Sequence, residues 1–233
     1  MKTSMTRRLL GGVLAVLLMS GVAGAQTVPT DTPEVAALRV KANAGDARAQ
    51  FFLGLAHSNG RGVPQDDAQA AAWWRKAAEQ GDVSSQHNLG VLYANGQGVQ
   101  QDYTQAVAWY RKAAEQGDAG AQFNLGYVYS NGQGVPQDFT QAVAWYRKAA
   151  EQGHASAHYS LGVAYAKGQG VPKDDVESHK WLNLAASRAS AENQKQYAEA
   201  RDFVAKRMTP AQLAEAQQRA SAWLAVFKKR SGK

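Results

Sequence analysis

The chain has 233 residues, 45% hydrophobic and 19% charged, with no cysteine, which excludes a disulfide framework and a thiolate metal site and leaves the core to hold itself by packing. Its formal charge of +7 falls by three to +4 without Lys2, Arg7 and Arg8, and Lys228, Lys229, Arg230 and Lys233 match what is left. The body is therefore near neutral, which excludes the basic footprint of a nucleic-acid partner.

The first element is MKTSMTRRLLGGVLAVLLMSGVAGAQ, with Lys2, Arg7 and Arg8 ahead of an apolar run from Leu9 to Val22 and a small-x-small site at Ala23-Gly24-Ala25. That layout is a secretory signal peptide over 1–25, cleaved after Ala25. The run is too short and too interrupted by Gly11, Gly12 and Ser20 to anchor a chain in a bilayer, and no cysteine follows it to carry a lipid. Arg7-Arg8 leaves twin-arginine export open beside the general secretory route. A first helix follows from Thr32-Pro33-Glu34 to Ala44, with proline at its first position, within an N-terminal capping segment over 26–45.

From there the sequence repeats. Gly45, Gly81, Gly117 and Gly153 are 36 residues apart, as are Leu53, Leu89, Leu125 and Leu161, and Trp73, Trp109, Trp145 and Trp181. A fixed period of this length is the signature of a solenoid, here with copies over 46–81, 82–117, 118–153 and 154–188. Each copy reads as two helices. Helix A, as Asp118 to Gly132 in the third copy, sets Ala121, Leu125 and Tyr129 on one face. Its mid-helix Gly126 costs about 1 kcal/mol against alanine, which predicts a close approach to a neighbouring helix. The GQGVPQ connector turns the chain, and Asp138 and Gln141 have the spacing of a capping box at the start of helix B. Ala142, Trp145 and Ala149 form the buried stripe of helix B, and Gly153 ends it in a left-handed turn. The thrice-written RKAAEQG(D/H) is thus the stop of helix B and the cap of the next helix A. Two further helices, Ala191 to Arg207 and Pro210 to Phe227, lie in a C-terminal segment over 189–233. There Leu213, Ala216, Ala220, Trp223 and Phe227 would cover the open end of the last repeat.

AQFNLGYVYSNGQGVPQDFTQAVAWYRKAAEQG resembles the Sel-one-like repeat (SLR), a relative of the tetratricopeptide repeat, and the other three copies match at the same positions. The closing MTPAQLAEAQQRASAW is similar to the capping helix of bacterial members. The resemblance implies an all-α, α/α right-handed superhelical solenoid with a concave protein-binding groove, used in adaptor roles. A cysteine-rich secreted branch is credited with β-lactam binding or hydrolysis; this chain, without cysteine, does not inherit that activity.

No cofactor motif is present. The paired glycines of the connectors lack the Lys-Ser/Thr that a phosphate loop needs. His154 and His158 have a metal-compatible spacing, yet His154 stands at a cap position and His158 where the other copies have glutamine, so no metal site is assigned. There is no S-x-x-K, G-x-S-x-G or thiol nucleophile, and the chain is read as non-enzymatic.

The face of helix A opposite the core stripe varies between copies. It reads Arg48, Phe52, Leu55 and Asn59, then Ser84, Asn88, Val91 and Asn95. The third copy gives Gly120, Asn124, Tyr127 and Asn131, and the fourth Ser156, Ser160, Val163 and Lys167. By resemblance this stripe lines the groove. Its carboxamides and apolar centre suit an extended protein segment rather than a polyanion. The expected function is an exported, periplasmic protein-interaction adaptor of the bacterial cell envelope, with no nucleic-acid partner and no stable membrane insertion. A peptidoglycan-acting or glycan-binding protein, or a secreted host-directed factor, is the alternative.

Overall fold

The computed structural model describes residues 31–232, so the signal segment expected at 1–25 lies outside the described residues. Those residues form eleven α-helices and no strand. They are α1 (Pro33–Asn43), α2 (Ala47–Asn59), α3 (Asp67–Glu79), α4 (Val83–Asn95), α5 (Tyr103–Glu115) and α6 (Ala119–Asn131). After them come α7 (Phe139–Glu151), α8 (Ala155–Lys167), α9 (Asp175–Arg188), α10 (Ala191–Ala205) and α11 (Pro210–Ser231). Each helix from α1 to α9 packs on the next, the pattern of a solenoid. Helix A of the four copies is α2, α4, α6 and α8, and helix B is α3, α5, α7 and α9.

Side-chain caps at the start and left-handed glycines at the end explain where the A helices begin and stop. Asp46, Asp82 and Asp118 accept the third N–H of α2, α4 and α6 at 2.8, 2.7 and 2.6 Å. The same helices end on left-handed Gly60, Gly96 and Gly132. At helix B only half of the expected capping box forms. Asp138 accepts from Gln141 N–H at 2.9 Å, but the Asp138 N–H already donates to the Tyr129 carbonyl at 2.9 Å, leaving the Gln141 side chain nothing to reach for. The complete box is at Thr209 and Gln212, where α11 begins.

The core runs along the interface of the two helix layers. Leu53, Leu89, Leu125 and Leu161 are fully buried, each contributing about 2 kcal/mol of apolar burial. A Cβ at the neighbouring Gly126 would lie 2.5 Å from the Tyr146 ring, which is the close approach its helix cost predicted. The helix B stripe is broader than expected: Ala142, Val143, Tyr146, Ala149 and Ala150 are buried, whereas Trp145 is only half-buried. The four tryptophans are also not plain core. Lys76, Lys112, Lys148 and Lys180 set their ammonium groups 4.0, 3.9, 3.9 and 4.3 Å from the centres of the Trp73, Trp109, Trp145 and Trp181 rings.

Buried glutamines tie successive copies together. Gln50, Gln86 and Gln122 each donate to a helix-end carbonyl, those of Ala42, Ala78 and Ala114, at 3.0, 3.1 and 3.1 Å. Each accepts in turn from Gln80, Gln116 or Gln152 at 2.7, 2.8 and 2.8 Å. Both ends of each carboxamide are satisfied, so burial costs little.

The ladder stops at the fourth copy, and the C-terminal helices explain why. α10 and α11 both rest on α9. α10 ends at Ala205, two residues before the expected Arg207, while α11 continues past Phe227 to Ser231. Ala216 and Ala220 are buried, and Trp223 meets His158 edge-on at 4.9 Å, with Trp181 stacked on the same imidazole at 5.5 Å. His158, standing where glutamine is used elsewhere, makes the aromatic seat for α11. The Arg230 guanidinium donates to the Glu151 carbonyl at 2.9 Å, and Arg219 pairs with Glu177 and Glu215, both at 2.6 Å. No helix among the described residues is long and apolar enough to cross a membrane.

Candidate protein-binding groove

The variable stripe of the A helices lies on one continuous face. Arg48, Phe52, Asn59, Ser84, Asn95, Tyr127, Asn131 and Lys167 are exposed, and Leu55, Asn88, Val91, Asn124, Ser160 and Val163 are half-buried. Phe52 and Tyr127 stand out as large apolar side chains with 41% and 50% of their surface in solvent.

Two equivalent recesses open on this face, one repeat apart. The first, about 350 Å³, lies between α4, α5 and α6 and is lined by Val91, Asn95, Asn124 and Tyr127 of the stripe together with Ala94, Tyr103, Tyr110, Val128 and Gln133. The second, about 380 Å³, takes Asn131, Ser160, Val163 and Lys167 of the stripe. It adds Ser130, Gln137, Phe139, Tyr146 and Gln169, with Ala142, Val143, Tyr159 and Ala164. Arg48, Phe52, Leu55, Asn59, Ser84 and Asn88 share the face but line neither recess. There Phe52 packs edge-on against Phe51 at 5.2 Å with the Arg48 guanidinium 5.8 Å from its ring centre.

The stripe alone missed more than half of each recess. Tyr110 and Tyr146 on helix B, with Tyr103 and Phe139 at its start and Gln133 and Gln169 in the connectors, complete the walls. The signal was present: Trp74, Tyr110, Tyr146 and Leu182 stand at the repeat period directly after the tryptophans, but an i+1 neighbour of a core residue reads as core too. Both tyrosines are indeed largely buried.

Electrostatically the recesses are mild. Burial pushes the Tyr110 and Tyr146 phenols up, so both remain neutral hydroxyls, and Tyr146 shares a hydrogen bond of 3.2 Å with Ser130. No carboxylate lines either recess, and Lys167 is the one charged lining residue. The Asn131 amide is partly spent, donating to the Tyr127 carbonyl at 2.9 Å, which leaves its oxygen to accept. The lining thus offers carboxamide and hydroxyl hydrogen bonds around an aromatic and aliphatic floor. It offers no nucleophile paired with a base.

The two helical histidines do separate work. The Nδ1 of His154 caps α8 by accepting from Ala157 N–H at 3.3 Å, and its ring stacks on Phe123 at 4.9 Å. The Nε2 of His158 lies 3.0 Å from the Ala150 carbonyl inside the cap junction. Burial depresses the proton affinity of both, that of His158 to about 4. Among the described residues no three His, Asp or Glu side chains are grouped to hold a metal ion.

The profile of the Sel1 repeat matches this chain four times, at residues 47–82, 83–118, 119–154 and 155–190. A solved Sel1 repeat protein from Oxalobacter formigenes superimposes with a TM-score of 0.66 at 34% identity, covering 84% of this chain and 78% of its own. A protective antigen of uropathogenic Escherichia coli strains displaying an SLR fold superimposes with a TM-score of 0.55 at 30% identity over 84% of this chain. This chain spans about half of that antigen, 49%. No curated protein matches the chain significantly.

Proposed function

Because the chain belongs to the Sel1 repeat family, whose members are generally protein-interaction scaffolds, we propose that it is a non-catalytic adaptor of the bacterial cell envelope. In this reading the chain is exported by its N-terminal signal segment and holds an extended stretch of a partner protein along the A-helix face. The observation that carries it is the pair of matched recesses, each with a tyrosine floor, amide rims and no carboxylate. A backbone in extended conformation leaves its N–H and C=O groups unpaired, and carboxamides supply both donors and acceptors to them. A side chain from the same segment can enter each recess, where Val91 and Tyr127, or Val163, meet its apolar surface.

The test is a double variant, Phe52→Ala with Tyr127→Ala. Both side chains are substantially exposed, so their loss leaves thermal unfolding within a few degrees of the parent, while capture of the envelope partner falls at least tenfold. Fractionation should locate the parent chain in the periplasm. Retention of capture in a folded double variant rejects the groove as the site, and a cytoplasmic location rejects the envelope role.

A further inference from the structure

His87 is peculiar to the second copy. The equivalent residues are Phe51, Phe123 and Tyr159, yet here an imidazole of α4 reaches across to the next copy. Its Nδ1 lies 3.1 Å from a carboxylate oxygen of Asp118, the cap of α6, and its Nε2 lies 3.1 Å from the side-chain nitrogen of Asn124 on α6. The ring packs edge-on against Tyr110 at 6.1 Å, the floor of the first recess. Gly120 makes the space, because a Cβ there would collide with the imidazole; the other copies carry Arg48, Ser84 and Ser156 at that position.

The chemistry of these partners fixes one arrangement. An ionised carboxylate only accepts, so the Nδ1 facing Asp118 carries the proton. The neutral ring then presents a lone pair at Nε2, which the Asn124 amino group serves. That turns the Asn124 carbonyl oxygen away from the ring, on a residue that lines the recess. When the ring gains its second proton, Nε2–H needs an acceptor, and an amino group is none. The Asn124 carboxamide must rotate by half a turn, giving its oxygen to His87 and turning its amino group away from the ring.

The surrounding groups permit this. The hydrogen bond from His87 holds the Asp118 carboxyl below the usual carboxylate range, so it stays ionised while the imidazole changes charge. The proton affinity of His154, the cap of α8, is lowered by burial, its ring stacked on Phe123, and the Tyr110 phenol on α5 is neutral.

We propose that Asn124 sets the hydrogen-bond polarity of the first recess and that His87 switches it. With His87 neutral the recess presents a carbonyl and selects a donor on the bound segment. With His87 charged it presents an amino group and selects an acceptor. This deepens the groove reading and rests on it.

The ¹⁵N NMR spectrum of the full chain tests the switch without any ligand. At pH 8 the His87 ring should be the Nδ1–H tautomer, and on acidification the Asn124 side-chain amide signals should move with the same midpoint as the ring. Replacement by the residue of two other copies, His87→Phe, should abolish that movement. An Nε2–H tautomer at pH 8, or Asn124 signals indifferent to the titration, overturns the proposal. Peptides selected from a displayed random library on the immobilised chain at pH 8 test the consequence. Their affinity should fall about tenfold by pH 5 in the parent, the loss expected when one hydrogen bond is replaced by two facing donors, and stay flat in His87→Phe. Equal pH dependence in both overturns it. A library yielding no binder counts against the groove itself and against selection of a bound segment, and the tautomer and amide rotation are then judged by the spectrum.

Discussion

Replacing Gly134 by alanine separates two costs that the connector glycines combine. In the third connector, Gly132 has φ +66° and Gly134 φ +70°, so alanine at either position adopts a left-handed backbone costing about 1–2 kcal/mol. Their surroundings differ. A Cβ at Gly132 would lie 3.3 Å from both the Cβ and the backbone nitrogen of Gln137, a tight contact short of collision. A Cβ at Gly134 would lie 2.5 Å from the backbone carbonyl carbon and oxygen of Tyr103 and 2.8 Å from the Thr104 nitrogen, at the first turn of α5 in the preceding repeat. Backbone in a helix start does not yield, so repeats two and three must part, adding about 1–3 kcal/mol of overpacking. Gly134→Ala should therefore cost about 2–5 kcal/mol in total, and Gly132→Ala only about 1–2. For an array of this size each kcal/mol lowers the midpoint by about 2–4 °C, which places Gly134→Ala about 10 °C below the parent and Gly132→Ala about 4 °C below. Circular dichroism at 222 nm during thermal and urea unfolding reads both. Equal losses in the two variants would refute the claim that the second glycine serves the contact between repeats.

Three further perturbations follow the same reasoning. Gln122→Ala removes the side-chain donor to the Ala114 carbonyl and one of the two acceptors of the Gln152 amide, and should destabilise the array by about 2 kcal/mol in urea titrations, against almost nothing for the exposed Gln105→Ala. His158 is kept neutral by burial, its proton affinity depressed to about 4, with the nearby Arg188 and Lys180 acting in the same direction. The unfolded chain binds that proton near the ordinary value of about 6.5, so stability is full above this pH and drains as pH falls toward 4, by about 3 kcal/mol. His158→Gln, the residue of the other copies, should flatten that slope in urea midpoints measured between pH 7 and 4. Trp223→Ala unseats α11 from His158 and Trp181 and should cost about 2–3 kcal/mol, with hydrogen exchange in α11 rising well above that in α6.

The repeat period alone made most of the architecture legible, because caps, core leucines and mid-helix glycines all keep step at 36 residues. What stayed hidden was polar. Gln50, Gln86 and Gln122 recur as faithfully as the leucines, but a glutamine reads as surface until the carbonyl and carboxamide that satisfy it are located in the fold. The capping box at Asp138 failed for a related reason: the competing acceptor, the Tyr129 carbonyl, belongs to the neighbouring helix. His158 showed its departure from the repeat without its cause, since Trp223 lies 65 positions further along the chain. The groove was legible as a stripe on helix A, and its floor was not, because Tyr110 and Tyr146 belong at once to the core and to the recess wall.

The measurement that tests the adaptor reading most directly is photo-crosslinking in the intact envelope, with a reactive amino acid in place of Tyr127 on the groove and, separately, of Gln105 on the exposed side of α5. The account predicts one discrete protein adduct from position 127 and none from 105. No adduct at either position, or the same adducts at both, would contradict it.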